Sequence, residues 1–269
     1  MSCKATARWP FETTIMGKLT DRVAIVTGGS RGIGRHYCEA LAREGACVAI
    51  FDVANDDGLV RQIAETCDAD RAAHFAVDVS DEAQVRQAIE AVRERFGRID
   101  TLVNNAAVFA SLESQAVTDI DVQLWDRVMS VNLRGPFLMV KHVVPHMIGT
   151  GRGKIVNVAS ALAYRGLPGM LHYTTSKGAI LTFTRTLSRE LGVHRICVNT
   201  LAPGLVLSDS IAANEAHVGS NRLQVLAARA LQTDVYPKDL LGALVFLCCD
   251  DSNLITGQTL VVDGGTINT

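Results

Sequence analysis

The sequence carries no excess of either charge: 26 Lys and Arg stand against 28 Asp and Glu, interspersed, for a formal net charge of −2. That balance leaves no broad basic field to grip nucleic acid and no polybasic segment to grip a membrane surface, so neither partner is expected. Long hydrophobic runs are missing as well. The longest, about Leu240 to Cys249, falls far short of the ~18 residues of a membrane-crossing helix. Cysteine is present in an odd number, seven, with no C-x-x-C pair. Cys47, Cys197, Cys248 and Cys249 sit inside apolar stretches, which reads as a set of reduced core thiols in a cytoplasmic protein. No secretory signal, internal repeat or low-complexity tract is visible.

What is present is an apolar fraction of 48% spread over 269 residues, enough for a sizeable core. Apolar runs near 23–27, 47–52, 73–77, 100–104, 154–159, 196–201 and 259–262 read as strands. Amphipathic segments near 32–44, 56–66, 81–96, 122–149, 173–191 and 237–249 read as helices between them. Such βα alternation needs crossover connections, hence a parallel sheet with helices on both faces, and its regularity favours one domain over two. Residues 1–17 show no periodicity and are expected to be a flexible N-terminal extension to a single domain over 18–269. One irregular stretch, Ser208 to Tyr236, is too long for a simple connector. It reads as a lid of about 205–236, with a short helix near Arg222 to Leu231.

Two constellations carry chemistry. Directly after the run Val23 to Val26 comes Thr27-Gly-Gly-Ser-Arg-Gly-Ile-Gly, a strand, a glycine turn and a helix start. Gly28 permits the tight turn, Gly32 the approach of backbone to a pyrophosphate, and Gly34 the packing of helix on strand. A helix opening near Ile33 aims free N–H groups and its positive dipole end at the phosphates. Asp52 closes the next strand, at the ~20-residue offset of a ribose-binding carboxylate. The second constellation is Tyr173 and Lys177, four residues apart, with Ser160 thirteen residues before the tyrosine. On a helix that spacing stacks ammonium beside phenol. Bringing a phenol from a pKa of about 10 to about 7 takes roughly 4 kcal/mol, which a neighbouring cation can supply.

Further landmarks stand between and after these: Asp78-Val79, Asn104-Asn105-Ala106-Ala107, Asn132, Pro203-Gly204, and Ile-Thr-Gly-Gln-Thr-Leu-Val-Val-Asp-Gly-Gly from Ile255. On these motifs, in this order, the chain resembles the short-chain dehydrogenase/reductase family in its single-domain form, over nearly everything from Lys18 to Gly265. The resemblance implies an α/β, single-domain Rossmann fold with a doubly wound, mainly parallel seven-stranded sheet in the order 3-2-1-4-5-6-7. It implies catalysis by Asn132, Ser160, Tyr173 and Lys177, with Tyr173 as acid and base and Asn132 fixing a proton-relaying water. Coenzyme contacts are implied for Gly28, Ser30, Arg31, Gly32, Ile33, Gly34, Asp52, Val53, Asp78, Val79, Asn105, Ala106, Tyr173, Lys177, Pro203, Gly204, Val206 and Ser208. Substrate contacts are implied for Ser160, Leu162, Tyr173 and Leu205, and a homotetramer is implied on helices 122–149 and 173–191 and the last strand. One departure is Ala107, where the family usually has glycine.

Asp52 and Arg31 compete over the coenzyme. A carboxylate at the end of strand two repels a ribose phosphate, whereas an arginine in the loop has other uses, so NAD is favoured over NADP. The candidate pocket residues Phe109, Leu162, Ala163, Tyr164, Leu167, Leu205 and Val206 are mostly apolar and suit a small-molecule secondary alcohol or ketone bearing a hydrophobic or cyclic group. Arg165, Arg222 and Arg229 lie near enough in sequence to bind a carboxylate or phosphate, while as solvated surface groups they need no explanation. His142 and His146, at i and i+4, have Pro145 between them and no Glu after His142, so no metal is expected. An NADPH-dependent 3-oxoacyl-carrier-protein reductase is the nearest alternative, opposed by Asp52. Carbon–halogen cleavage on the same fold is opposed by the intact glycine loop and Lys177. A non-catalytic nucleotide-binding scaffold is opposed by the complete Ser, Tyr and Lys set.

Overall fold

In the computed structural model, residues 17–268 are described except 55–56, 68–69 and 213–219. Residues 1–16, most of the expected extension, and the middle of the expected lid lie outside the described residues. Seven strands, β1 (Val23–Thr27), β2 (Cys47–Asp52), β3 (Ala72–Ala76), β4 (Thr101–Asn104), β5 (Gly153–Val158), β6 (Ile196–Pro203) and β7 (Thr259–Val262), form one sheet in the order β3-β2-β1-β4-β5-β6-β7. All six pairings are parallel. The strands are near-continuous apolar runs because both faces are covered. Alternate residues of β1 serve opposite cores: Ala24 and Val26 join one cluster with α1 (Gly32–Arg43) and the helix Lys238–Cys248, while Val23 and Ile25 join the other with α3 (Glu82–Phe96) and α5 (Gly135–Thr150).

The helices stop where local chemistry stops them. Asp81 caps α3 by accepting from Ala83 N and Gln84 N, and Gly97 ends it in the left-handed region. The expected single helix 122–149 is interrupted: α4 (Val122–Met129) ends in a π-helical turn, Ser130–Arg134, before α5 begins. Its apolar pattern is continuous across the break, so periodicity alone gives one helix. The helix bearing Tyr173 is α7 (Leu171–Leu191), preceded by an unforeseen turn of helix, α6 (Leu162–Arg165). Beyond β6 lie α8 (Asp209–Ala212), α9 (Ser220–Ala228) and α10 (Lys238–Cys248). No helix among the described residues is long and apolar enough to cross a membrane.

The strand order reverses between β1 and β4, and the carboxyl ends of the strands there open into the crevice where such sheets bind ligands. The opposite end is closed by charge. Asp100 is buried and accepts from Val23 N (3.0 Å) and from Arg98 (2.6 and 2.7 Å), with Arg22 and Arg152 at 3.9 and 3.8 Å.

Candidate active site

The glycine turn is shaped by its neighbours. Gly28 has φ +63, and a Cβ there would stand 2.9 Å from Ala106 Cα; one at Gly34 would stand 2.0 Å from the Gly28 carbonyl oxygen. Thr27, at the end of β1, holds the turn against β4: its hydroxyl accepts from Asn105 N and Ala106 N, both at 3.0 Å. The Asn105 amide donates to the carbonyls of Thr27 (2.9 Å) and Gly28 (3.1 Å), so Asn105 braces the turn. Thr27 opens the glycine motif but was not among the expected site residues, since a strand-end threonine carries no mark of its cross-strand bonds.

Asp52 is buried at the end of β2, where one oxygen accepts from Ser30 N (3.1 Å) and the other from Ala54 N (3.2 Å). Arg31 is exposed, and no ion pair joins it to Asp52 among the described residues. Val53 beyond it is exposed. Asp78 is tied to Ser80 and, at 3.3 Å, to Arg127, and these bonds hold its carboxyl below the ordinary range against the opposing effect of burial. Val79 is buried against Gly135. The site's features fit a dinucleotide: glycine stands where a side chain cannot, and the buried Ser30 hydroxyl lacks a hydrogen-bond partner beside a carboxylate. Pro203 and Gly204 end β6 against the Asp263 turn, and Val206 and Ser208 are buried just beyond.

Ser160, Tyr173, Lys177 and Asn132 are all brought together and all buried. Ser160 stands near enough to the Tyr173 phenol to favour its ionised form, and its hydroxyl accepts from Leu162 N at 3.2 Å. Lys177, one helical turn on, places its Nζ 5.9 Å from the centre of the Tyr173 ring and donates to Val158 O at 2.7 Å. Asn132 lies in the π-turn; its Oδ1 accepts from Val108 N (2.8 Å) and its Nδ2 donates to Ser176 Oγ (3.1 Å) and Val108 O (3.3 Å). Ser176 in turn donates to Tyr173 O at 2.7 Å.

The phenol is expected to be activated by Lys177 with the positive charge of the oxidised nicotinamide, and in the chain by itself burial governs both groups. Burial pushes Tyr173 up to about 12, opposed only by the nearby Ser160 hydroxyl, and burial brings Lys177 down to about 8. Desolvation outweighs the attraction because the ammonium is spent on a carbonyl rather than on the phenol oxygen. Of the three arginines whose facing the sequence leaves open, Arg229 is buried: it donates to Leu205 O (2.8 Å) and Thr233 O (2.6 Å) and pins the start of the lid. Arg222 is paired with Asp234, and Arg165 is exposed. His142 and His146 face Glu82 (3.0 Å) and Glu90 (3.5 Å) on α3.

Beneath the site runs a buried polar ladder that sequence reasoning missed. Asn104 donates to Asn157, Asn157 to Thr184, and Thr200 to Thr184, at 2.8–2.9 Å, linking β4, β5, α7 and β6. Above it, Leu112, Val128 and Met170 pack round Tyr173, with Phe109, Leu124, Leu162 and Leu167 at the rim. Leu205 is only partly buried.

Comparison with known proteins agrees with this geometry. The family model described as Enoyl-(Acyl carrier protein) reductase matches residues 28–266. The chain belongs to the short-chain dehydrogenase/reductase family. It is 33% identical over 248 residues to the NAD-dependent glycerol dehydrogenase of Listeria innocua, covering 92% of this chain and 94% of that one. It is 34% identical over 251 residues to the cyclopentanol dehydrogenase of a Comamonas species, covering 93% and 98%. Among solved structures, the 3-ketoacyl-(acyl-carrier-protein) reductase of Brucella melitensis complexed with NADH superposes with a TM-score of 0.82 at 32% identity, covering 92% and 99%. The protein is thus an oxidoreductase of this family, with alcohol dehydrogenases and oxoacyl reductases among its relatives.

Proposed function

We propose that the protein is an NAD-dependent dehydrogenase of secondary alcohols that carry a hydrophobic or cyclic group. The observation that carries this reading is the convergence of Ser160, Tyr173 and Lys177 in an apolar enclosure at the carboxyl ends of β4 to β6. When bound, the oxidised nicotinamide supplies a hydride acceptor and a positive charge. Gly28, Ser30, Arg31, Gly32, Ile33 and Gly34 would hold its pyrophosphate. Asp52 and Val53 would hold the adenosine ribose side, and Asp78 and Val79 the adenine. Asn105, Ala106, Pro203, Gly204, Val206 and Ser208 would line its nicotinamide half.

Ser160 holds the substrate oxygen beside the phenol, and Leu162 and Leu205 flank the carbon skeleton. Tyr173 accepts the hydroxyl proton in oxidation and returns it in reduction. Lys177, charged below a pKa of about 8, would hold the nicotinamide ribose, and its charge together with that of the bound nicotinamide would favour the phenolate, while Asn132 fixes the loop above and would hold a water that passes the proton outward. The apolar rim supports a hydrophobic substrate, as does the likeness to a cyclopentanol dehydrogenase.

Preference for NAD rests on Asp52. Its two backbone bonds leave a carboxylate with no cation beside it among the described residues. A ribose phosphate about 4 Å away would cost about 4 kcal/mol per unit charge pair before screening. The test is a panel of alcohols with both coenzymes, on the native chain and on Asp52→Ser. The expected result is turnover with NAD, and a rise in relative use of NADP on substitution; equal preference in both proteins removes Asp52 from the argument, and no turnover of any alcohol with either coenzyme removes the function.

The same reading includes a homotetramer in a reducing, cytoplasmic setting. It is supported by the groove of Met129, Leu133, Phe137 and Phe183, by the half-exposed Phe137, by Leu260 on the open edge strand β7, and by the six free thiols among the described residues.

A further inference from the structure

Arg229 stands just past α9 and is 4% exposed, a buried cation that the chemistry described above does not use. The two carboxylates whose field reaches it are committed elsewhere, Asp234 to Arg222 and Asp263 to the amides of Gly265, Thr266 and Ile267. Among the described residues no carboxylate comes within 4 Å of its guanidinium, and its Nε is buried without a hydrogen-bond partner. What the guanidinium holds is backbone: Nη1 donates to Thr233 O at 2.6 Å and Nη2 to Leu205 O at 2.8 Å. Its stem lies on the turn after β7, where a Cβ on Gly264 would stand 3.2 Å from Arg229 Cδ. A cation enclosed without an ion pair contributes little to stability. A planar fork of donors contributes geometry, since it fixes the separation of the two groups that it holds.

Those two carbonyls belong to the two ends of one excursion. The chain leaves β6 through Leu205 and returns to α10 after Thr233, and the ends meet in a single bridge, Val206 to Val235, with Leu207 N donating to Val235 O at 2.8 Å. Gly204 is fixed from the other side, its N donating to Val262 O at 3.0 Å. The peptide that joins Leu205 to Val206 therefore takes its position from Arg229, directly after a residue anchored on β7. We propose that Arg229 is a positioning residue for hydride transfer: its buried guanidinium ties Leu205 to Thr233 and so holds the end of β6 where coenzyme and alcohol meet. The positioning half of this inference rests on the reading above, in which Gly204 lines the nicotinamide half and Leu205 flanks the alcohol; the tie itself does not.

The experiment has two arms, run on the native chain, Arg229→Met and Arg229→Lys. Methionine fills the space without donors, and lysine keeps the charge without the fork. In the first arm, without substrate or coenzyme, amide hydrogen exchange is followed by mass spectrometry. Peptides over 204–208 and 231–235 are expected to exchange at least about tenfold faster in the methionine variant, with lysine between, while α1 exchanges alike in all three proteins. Equal exchange of the two peptides in all three overturns the tie, and so does exchange that quickens as much in α1, which marks loosening of the whole fold. If the methionine variant does not fold, the native chain against the lysine variant decides by the same outcomes. In the second arm, kcat and KM are measured with NAD for the alcohol of the panel above that the native chain turns over fastest. In the methionine variant kcat is expected to fall about 10- to 100-fold, with lysine between, because a small misplacement at the reacting centre acts on the chemical step. KM for NAD should move far less, as its pyrophosphate and adenosine are held at the glycine turn and Asp52. Faster exchange with an unchanged kcat overturns the positioning role. If the native chain oxidises no alcohol, the proposed function and the positioning half fail together, and exchange still decides the tie.

Discussion

Two ionisable side chains buried side by side would each be easier to bury neutral, and that conflict is written into Tyr173 and Lys177. Lys177 has its pKa brought down by burial to about 8 from its ordinary 10.5. Below about pH 8 it is charged in both states, and the folded chain bears the full cost of enclosing it. Between that value and 10.5 the unfolded chain binds the extra proton, so stability rises with pH across this window, and above it the cost is gone. Lys177→Met is accordingly expected to lose turnover by about 10²-fold or more while gaining stability near neutrality. Its advantage over the native chain should shrink by up to about 2 kcal/mol between about pH 7 and about pH 9.5. Urea unfolding at the two pH values checks this; a pH-independent difference would mean that Lys177 keeps its ordinary pKa in the fold. Tyr173 and Lys177 were legible because their spacing is local. Arg229 was not, because what buries it, the carbonyls of Leu205 and Thr233 and the turn at Gly264, comes from three separate stretches.

At the scale of elements, the strands were legible almost residue for residue, since runs covered on both faces carry a continuous apolar signature. The break between α4 and α5 was not. A π-turn inserts one residue into an otherwise regular helix without changing its composition, and its effect is geometric: it brings Asn132 within reach of Val108 and Ser176. Asn132→Ala leaves the Val108 N–H without its acceptor and is expected to cost about 1–3 kcal/mol in urea unfolding. It should also lower turnover more than it raises KM, because the loop that it holds flanks the site. If stability and kcat are both unchanged, the turn has no organising role. Gly34→Ala brings a methyl group against the Gly28 carbonyl. Its expected effect is loss of coenzyme affinity measured by quenching of protein fluorescence, together with about 1–3 kcal/mol of stability lost to overpacking in urea unfolding.

For the molecule as a whole, the two ends of the sheet divide the work. The carboxyl ends gather buried groups whose charges are only partly compensated, and the amino ends close round Asp100 and its three arginines. Asp100→Asn removes the one carboxylate that these cations share. Because the arginines are partly exposed, the loss is expected near the low end of the range for a broken buried ion pair, about 2–4 kcal/mol. Coenzyme affinity should be untouched, as the site is at the other end; a change in affinity would show the two ends to be coupled. Light scattering on the native chain is expected to give four times 28.9 kDa, and Phe137→Glu in the exposed groove should lower that mass. An unchanged mass would take the groove out of the interface.

The stretch from Thr259 to Ile267 serves as edge strand and as buttress at once. β7 pairs with β6, Gly204 N donates to Val262 O at 3.0 Å, and the Asp263 carboxylate gathers the amides of Gly265, Thr266 and Ile267 just behind Gly204. A polypeptide emerging from the ribosome, translated only as far as Ser252, already owns its glycine turn and its reactive phenol but has nothing behind Gly204. Loss of the final strand is accordingly expected to loosen Gly204 and the residues after it, while the glycine turn keeps its bonds to Thr27 and Asn105.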